Sequence, residues 1–192
     1  TVKGVLGEAG QVTGLRQAIG LVEKAQLDVV EPHYSLNLSD LMMPDTGKLH
    51  LVPLDAVSRD MLVTWRAAYA MESLAIPGEA AVPQARADID SYIAADSHRV
   101  LMDGDQPVAM TGFNAALPEI VQLGGVYTPK NLRSRGYARA AVALHLEQAR
   151  TGGVATAVLF AANEPAERAY RALGFVRIGS FAISIYQEPQ HV

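Results

Sequence analysis

Residues 124–140 read GGVYTPKNLRSRGYARA, and the rest of the chain is organised around how this stretch folds. Two glycines fall inside an apolar run from Ile120 to Thr128 that otherwise predicts a strand. Glycine weakens a strand interior. The pair therefore fits either a bulge with a close backbone approach or a packing position beneath a helix. Pro129 ends the pairing by removing a donor. Gly136–Ala149 has excellent intrinsic helix propensity. Between strand and helix stands Arg133-x-x-Gly136-x-Ala138. A helix start carries unpaired N–H groups and a partial positive charge. Gly136 and Ala138 leave the backbone open to close approach, and Lys130, Arg133, Arg135 and Arg139 add local charge. Two readings follow: an arginine-bearing loop paired with surface carboxylates, or a cradle for a pyrophosphate. The phosphate-loop pattern GxxxxGK[ST] and the dinucleotide pattern GxGxxG are both absent.

Outward from this stretch, strands and helices alternate. Val2–Leu6, Leu27–Leu38, His50–Leu54, Arg99–Met102, Val108–Asn114, Ile120–Thr128, Val154–Ala161 and Phe175–Tyr186 predict strands. Helices are expected over Gln11–Leu21, from a cap at Asp55 to about Leu74, over Ala85–Ala95, and over Pro165–Leu173. Asp103-Gly104-Asp105 signals a hairpin. IPGEAAVP (76–83) reads as a loop, and MMPDTGK (42–48) as a turn cluster and domain boundary. The order implies an α/β fold whose mixed sheet is antiparallel in its first half.

A chain of 192 residues with 49% hydrophobic content fits one ordinary domain, or one domain plus a short appendage. Acidic residues outnumber basic ones 20 to 16, so no general attraction to nucleic acid or anionic membrane is expected. Cysteine is absent, which excludes disulfides, a cysteine nucleophile and cysteine metal ligands, and fits a cytoplasmic protein. No apolar run is long enough to span a membrane. None of His33, His50, His98, His145 and His191 has a ligand-like spacing to another histidine, so no metal is expected. The chain starts at Thr1 without a methionine, which fits methionine removal or an absent N-terminal segment.

A third feature follows the helix: Asn163-x-x-Ala166-x-x-Ala169-Tyr170-x-x-x-Gly174-Phe175. Ala166, Ala169, Tyr170 and Leu173 share one helix face, with Asn163 in a capping position. Taken alone, Tyr170 reads as a core tyrosine.

The order of these features, a glycine-bearing strand, R-x-x-G-x-A, helix, apolar strand and N-x6-Y-x3-G-F, resembles the GNAT acetyltransferase superfamily over roughly residues 48–187. The resemblance implies a GNAT-like mixed, mostly antiparallel central sheet flanked by helices. It also implies acetyl-CoA as cosubstrate, with direct attack of an amine on the thioester and no acyl-enzyme. Arg133, Ser134, Arg135, Gly136, Tyr137 and Ala138 would then hold the phosphates. Val126, Tyr127 and Thr128 would offer backbone groups to the pantetheine arm, and Asn163 would line the cofactor groove. Tyr170 would protonate the leaving thiolate. Glu119, just before the glycine strand, is the expected general base. Trp65, Tyr69 and Glu72 lie at i, i+4 and i+7 on one helix face and are the expected acceptor site. An N-acetyltransferase acting on a small-molecule or peptide amine is the function implied. A catalytically idle acyl-CoA sensor or interaction module is the alternative, and a homodimer is left open.

Residues 1–45 repeat the order strand, helix, glycine, strand of residues 154–187. They are expected to be an N-terminal extension, with two readings open: the tail of a degenerate acetyltransferase-like half, or a simple extension packing on the sheet. The acetyltransferase domain is expected at 46–192.

Overall fold

The computed structural model describes residues 1–192 except Val22, Glu23, Ala75, Ala162 and Val192. Its elements in chain order are β1 (Val2–Glu8), α1 (Ala9–Ala18), β2 (Leu27–Asn37), β3 (Leu49–Pro53), α2 (Arg59–Ser73), α3 (Gly78–Ala94) and β4 (His98–Asp103). They continue with β5 (Gln106–Ala116), β6 (Ile120–Tyr127), α4 (Tyr137–Thr151), β7 (Thr156–Phe160), α5 (Glu164–Arg171) and β8 (Val176–Gln190). All eight strands form one sheet in the order β1-β8-β2-β7-β6-β5-β4-β3. Only β6 and β7 run parallel; the other neighbours are antiparallel.

Helices cover both faces. On one, α4 and α5 pack over a core that includes Tyr34, Leu36, Leu123, Leu146, Leu159 and Phe175. Alternation along β2 places α1 on this face too, since Asp28 bonds Arg16 of α1 and Tyr34 bonds Glu167 of α5. On the opposite face α2 and α3 bury Leu62, Ala70, Ala85 and Ile89 against Val100 and Met110 of β4 and β5. Adjacent residues Val100 and Leu101 thus enter different cores, as a strand buried on both faces requires.

Local chemistry sets most boundaries. Gly104 takes a positive φ of 58° between the paired Asp103 and Gln106, which closes the β4–β5 hairpin. The cap of α2 is Ser58, whose side chain accepts from the Met61 N–H, and Asp55 sits instead in a short 3-10 turn. α3 starts at Gly78 rather than near Ala85, and absorbs Pro83. Ala81, Ala85 and Ile89 are all fully buried, so its apolar face already begins ahead of that proline. One lost N–H bond early in the helix is outweighed by the packing of that face on α2.

Residues 2–37 are knitted into the sheet. β2 lies between β7 and β8, and β1 pairs with the far side of β8. The chain therefore contains two β-α-β units, β1-α1-β2 and β7-α5-β8, that exchange their closing strands.

Candidate active site

The two glycines of β6 form a bulge. Met110 and Gly112 of β5 pair with Tyr127 and Gly124, so two steps on β5 span three on β6. The extra residue switches the faces. Leu123 and Val126 pack toward α4, whereas Tyr127 pairs with Met110 and meets the Trp65 ring of α2 at 6.3 Å. Gly125 has φ 62°, and a Cβ there would come within 2.7 Å of His98 Nε2. At Gly124 a Cβ would lie 2.1 Å from the Asn114 amide. Close approach fixes both glycines, and backbone conformation adds to it at Gly125.

Just before the bulge β6 leaves β7. The two pair only over Ile120–Gln122 and Thr156–Val158, and a groove of about 600 Å³ opens where they part. One wall is the end of β6, Val126 to Thr128. At one end stand Ser134, Gly136, Tyr137, Ala138 and Arg139 of the helix start. Asn163, Ala166, Ala169 and Tyr170 of α5 form the other wall, and Tyr69 and Glu72 of α2 close the rim. A smaller cleft of about 380 Å³ lies between the end of β3 and α3. The larger one is the candidate site, because the anion loop and Tyr170 line it and neither lines the smaller cleft.

The helix start is built to be approached. Gly136 caps α4 in the left-handed region at φ 81°, and a Cβ there would meet nothing within 4 Å. The space over it is open and its backbone conformation favours glycine. Ser134 also has a positive φ, 63°. The first-turn amides of α4 have no acceptor within the helix, and Arg139 adds charge. These groups fit a pyrophosphate. The Tyr137 hydroxyl donates to Asp103 at 2.8 Å, which fixes its ring at the edge of the loop.

Tyr170 lies half-buried on α5, one face against the core and the hydroxyl side lining the groove. Burial holds its phenol well above the usual tyrosine range, and neighbouring Tyr69 adds to the shift. It keeps its proton at neutral pH. Asn163 caps α5 by accepting from the Ala166 N–H at 3.0 Å, so cap and groove wall are one residue.

Other expected residues stand differently. Arg133 Nε donates to the Thr128 carbonyl at 2.9 Å, and its Nη2 donates to Glu72 at 2.7 Å, with the guanidinium over the Tyr127 ring. Lys130 approaches the same carboxylate at 3.6 Å. Hydrogen bonding from Arg133 holds Glu72 below the usual carboxylate range. Glu72 is thus already neutralised and is not free for an incoming ammonium. Trp65 packs into the core between α2 and Tyr127 rather than lining the groove. Arg135 is exposed and donates to the Asn131 carbonyl at 3.3 Å. Glu119 is far from the groove. It precedes β6 at the end opposite Tyr127, on the order of 25 Å away along the strand. Its carbonyl accepts from Ala155 and Thr156. Nearness in sequence to a strand is not nearness to that strand's far end, and Glu119 cannot serve a base role at the groove.

Among the described residues no cluster of ligand side chains could hold a metal, and no helix is long and apolar enough to cross a membrane.

Comparison with known proteins supports this fold. The model of the acetyltransferase (GNAT) family matches residues 61–175, and the chain belongs to that family. A GCN5-related N-acetyltransferase from Kribbella flavida superposes with a TM-score of 0.57 at 18% identity, over 90% of this chain and 64% of its own. An acetyltransferase of the GNAT family from Colwellia psychrerythraea gives 0.59 at 16%, over 97% and 66%. A tandem GNAT protein from the clavulanic acid biosynthesis pathway gives 0.60 at 15%, over 97% and 64%. The chain spans just under two thirds of the length of these structures. No curated protein sequence matches it. At such identities the likeness carries the fold and not the substrate.

Proposed function

We propose that this protein is an acetyl-CoA-dependent N-acetyltransferase that moves the acetyl group directly to an amine, in the cytoplasm. One observation supports the reading above others: the open helix start at Gly136, the free end of β6 and the Tyr170 hydroxyl share a single groove. Acetyl-CoA would supply an activated thioester. Backbone groups of Val126 and Thr128 would align the pantetheine arm, and the amides at the start of α4, with Arg139, would hold the pyrophosphate. Arg133 lines the same groove and would add its charge near the phosphates while still paired with Glu72. Tyr170 would give its proton to the sulfur as the carbon–sulfur bond breaks. Neither a cysteine nor a metal is required.

Residues 1–45 we read as the closing β-α-β unit of a second, degenerate acetyltransferase-like half. The exchange of closing strands with β7-α5-β8 supports this. A reading frame that encodes no further fold upstream of Thr1 would end it.

Calorimetry with acetyl-CoA and a thiol-release assay over a panel of amines test the main proposal. Binding with amine-dependent CoA release is expected. Absence of acetyl-CoA binding would remove the proposal, and binding without release from any amine would favour an idle acyl-CoA-binding module.

A further inference from the structure

β2 brings a carboxylate to the groove side of the sheet. Tyr34 and Leu36 point into the core under α4 and α5, so by alternation Glu31 and His33 point to the opposite face, the one that carries α2. Register agrees. Glu31 pairs with Phe181 and His33 with Phe160, and the rings of His33 and Phe160 lie 4.8 Å apart. Phe160 stacks on Phe181 at 4.2 Å. Glu31 therefore stands beside an aromatic floor built from three strands.

The same stretch of β2 lies against the end of β7 that leads into the groove wall: the Ala161 N–H donates to the Pro32 carbonyl at 3.1 Å, and Asn163, two residues on, lines the groove. Burial chiefly raises the pKa of Tyr69, Arg66 opposes the shift, and the Glu31 charge adds to it. Tyr69 in turn adds to the shift of Tyr170. Tyr69 and Tyr170 line the same groove, and the Glu31 charge is felt at Tyr69. Glu31 is half-buried, and burial lifts its carboxyl above the ordinary range. Among the described residues it has no hydrogen-bond or ion partner, whereas Glu72 has two cations. The buried Nε2 of His33 also has no partner. A half-buried carboxylate over apolar rings is costly unless a cation meets it.

We infer that Glu31 is the acceptor-binding and proton-accepting residue of this enzyme, and that the acceptor is a primary amine on an apolar or aromatic body. The inference rests on the acetyltransferase reading above. The ammonium would sit between the carboxylate and the Phe160–Phe181 rings. Glu31 takes one proton from it, and the freed nitrogen attacks the acetyl carbonyl carbon. The new carbon–nitrogen bond replaces the carbon–sulfur bond, the sulfur receives the Tyr170 proton, and the proton left on nitrogen passes to solvent.

The test compares 2-phenylethylamine and hexylamine with phenylalanine, which carries the same amine beside a carboxylate. Thiol release and acetyl-CoA affinity are measured for the wild-type, Glu31→Gln and Glu31→Asp proteins. The simple amines should exceed phenylalanine in kcat/KM by about tenfold or more, since a second carboxylate would face Glu31. Glu31→Gln should lower kcat/KM for 2-phenylethylamine by roughly 30-fold or more, with a raised KM, as expected when one partner of a desolvated charge pair is removed. Glu31→Asp should fall between. Acetyl-CoA affinity should stay unchanged, which also shows that the variants fold. Full turnover by Glu31→Gln, preference for phenylalanine, or silence from all three acceptors despite acetyl-CoA binding would each overturn the inference and leave the cofactor reading standing. Absence of acetyl-CoA binding in the wild-type protein would remove both.

Discussion

The units β1-α1-β2 and β7-α5-β8 share one plan and differ in chemistry. Each opens with a strand, passes through a helix on the same face of the sheet, and places its closing strand beside the other's opening strand. Both helices are capped by a side chain, Glu8 on α1 and Asn163 on α5. Seven residues past Asn163 stands Tyr170 in the groove; seven past Glu8 stands Leu15, exposed to 48%. The outer edge of β7 meets β6, which splays to make the groove, and no described strand lies beyond β1. The shared plan supplies a scaffold. What separates a site from a scaffold is the bulged strand beside it and one polar side chain on its helix.

The largest expected contrast is in acid. The acetyltransferase part holds two fully buried histidines, His98 stacked on Tyr92 and His145 stacked on Phe113. Burial, with smaller contributions from nearby arginines, pushes both down to about 3. Each is neutral when folded and takes up a proton near pH 6.5 when unfolded. Their contribution is therefore complete above pH 6.5 and is lost as pH falls toward 3. Each histidine should add a slope of up to about 1.4 kcal/mol per pH unit within that window. Denaturant melts between pH 7 and pH 4 should show this, and His145→Leu should reduce the slope. An unchanged slope would mean that His145 titrates normally in the fold.

Gly136→Val comes next. The variant must hold a β-branched residue at φ 81° and would fill the space over the helix start. Acetyl-CoA affinity should fall by about a hundredfold or more, in line with strain of ~1–3 kcal/mol plus the blocked approach. Calorimetric affinity like that of the wild-type protein would contradict the cradle. Tyr170→Phe should lower turnover by about a hundredfold with acetyl-CoA affinity kept, the lower end of what loss of a general acid costs. The matched change Leu15→Phe in α1 should leave turnover unaltered, and a comparable loss there would break the contrast between the units.

Legibility in the sequence follows how local each constraint is. The left-handed cap at Gly136 and the helix starting at Tyr137 are fixed by residues within a few positions, so that part of GGVYTPKNLRSRGYARA is legible directly. The glycine pair leaves bulge and packing readings open, because its close neighbours, His98 and Asn114, come from other strands. The family pattern then carried the sheet. Pairings between distant segments were not legible. Leu27–Leu38 reads as a strand, yet nothing in it says that it lies between β7 and β8, so the sequence singles out neither Glu31 nor, beyond the question of metal spacing, His33. The Glu72–Arg133 pair joins a helix to a loop 61 residues away, which made Glu72 look free. Glu119 was misplaced for the opposite reason, since chain proximity was taken for spatial proximity along a strand that runs away from it.

The smallest effect concerns a glycine with no task. Gly14 lies inside α1 with a φ outside the left-handed region, and a Cβ there would meet nothing within 4 Å. Glycine in a helix interior costs about 0.5–1 kcal/mol relative to alanine, through the backbone freedom lost on folding. Gly14→Ala should raise stability by about that amount in a denaturant melt, because no contact opposes it. Acetyl-CoA affinity and turnover should not move. Gly136 and Gly14 then separate by function: the first is required for its shape and for the space above it, the second only weakens its helix. A Gly14→Ala protein with weakened acetyl-CoA binding would show that α1 reaches the groove after all, and the contrast between the two units would have to be drawn elsewhere.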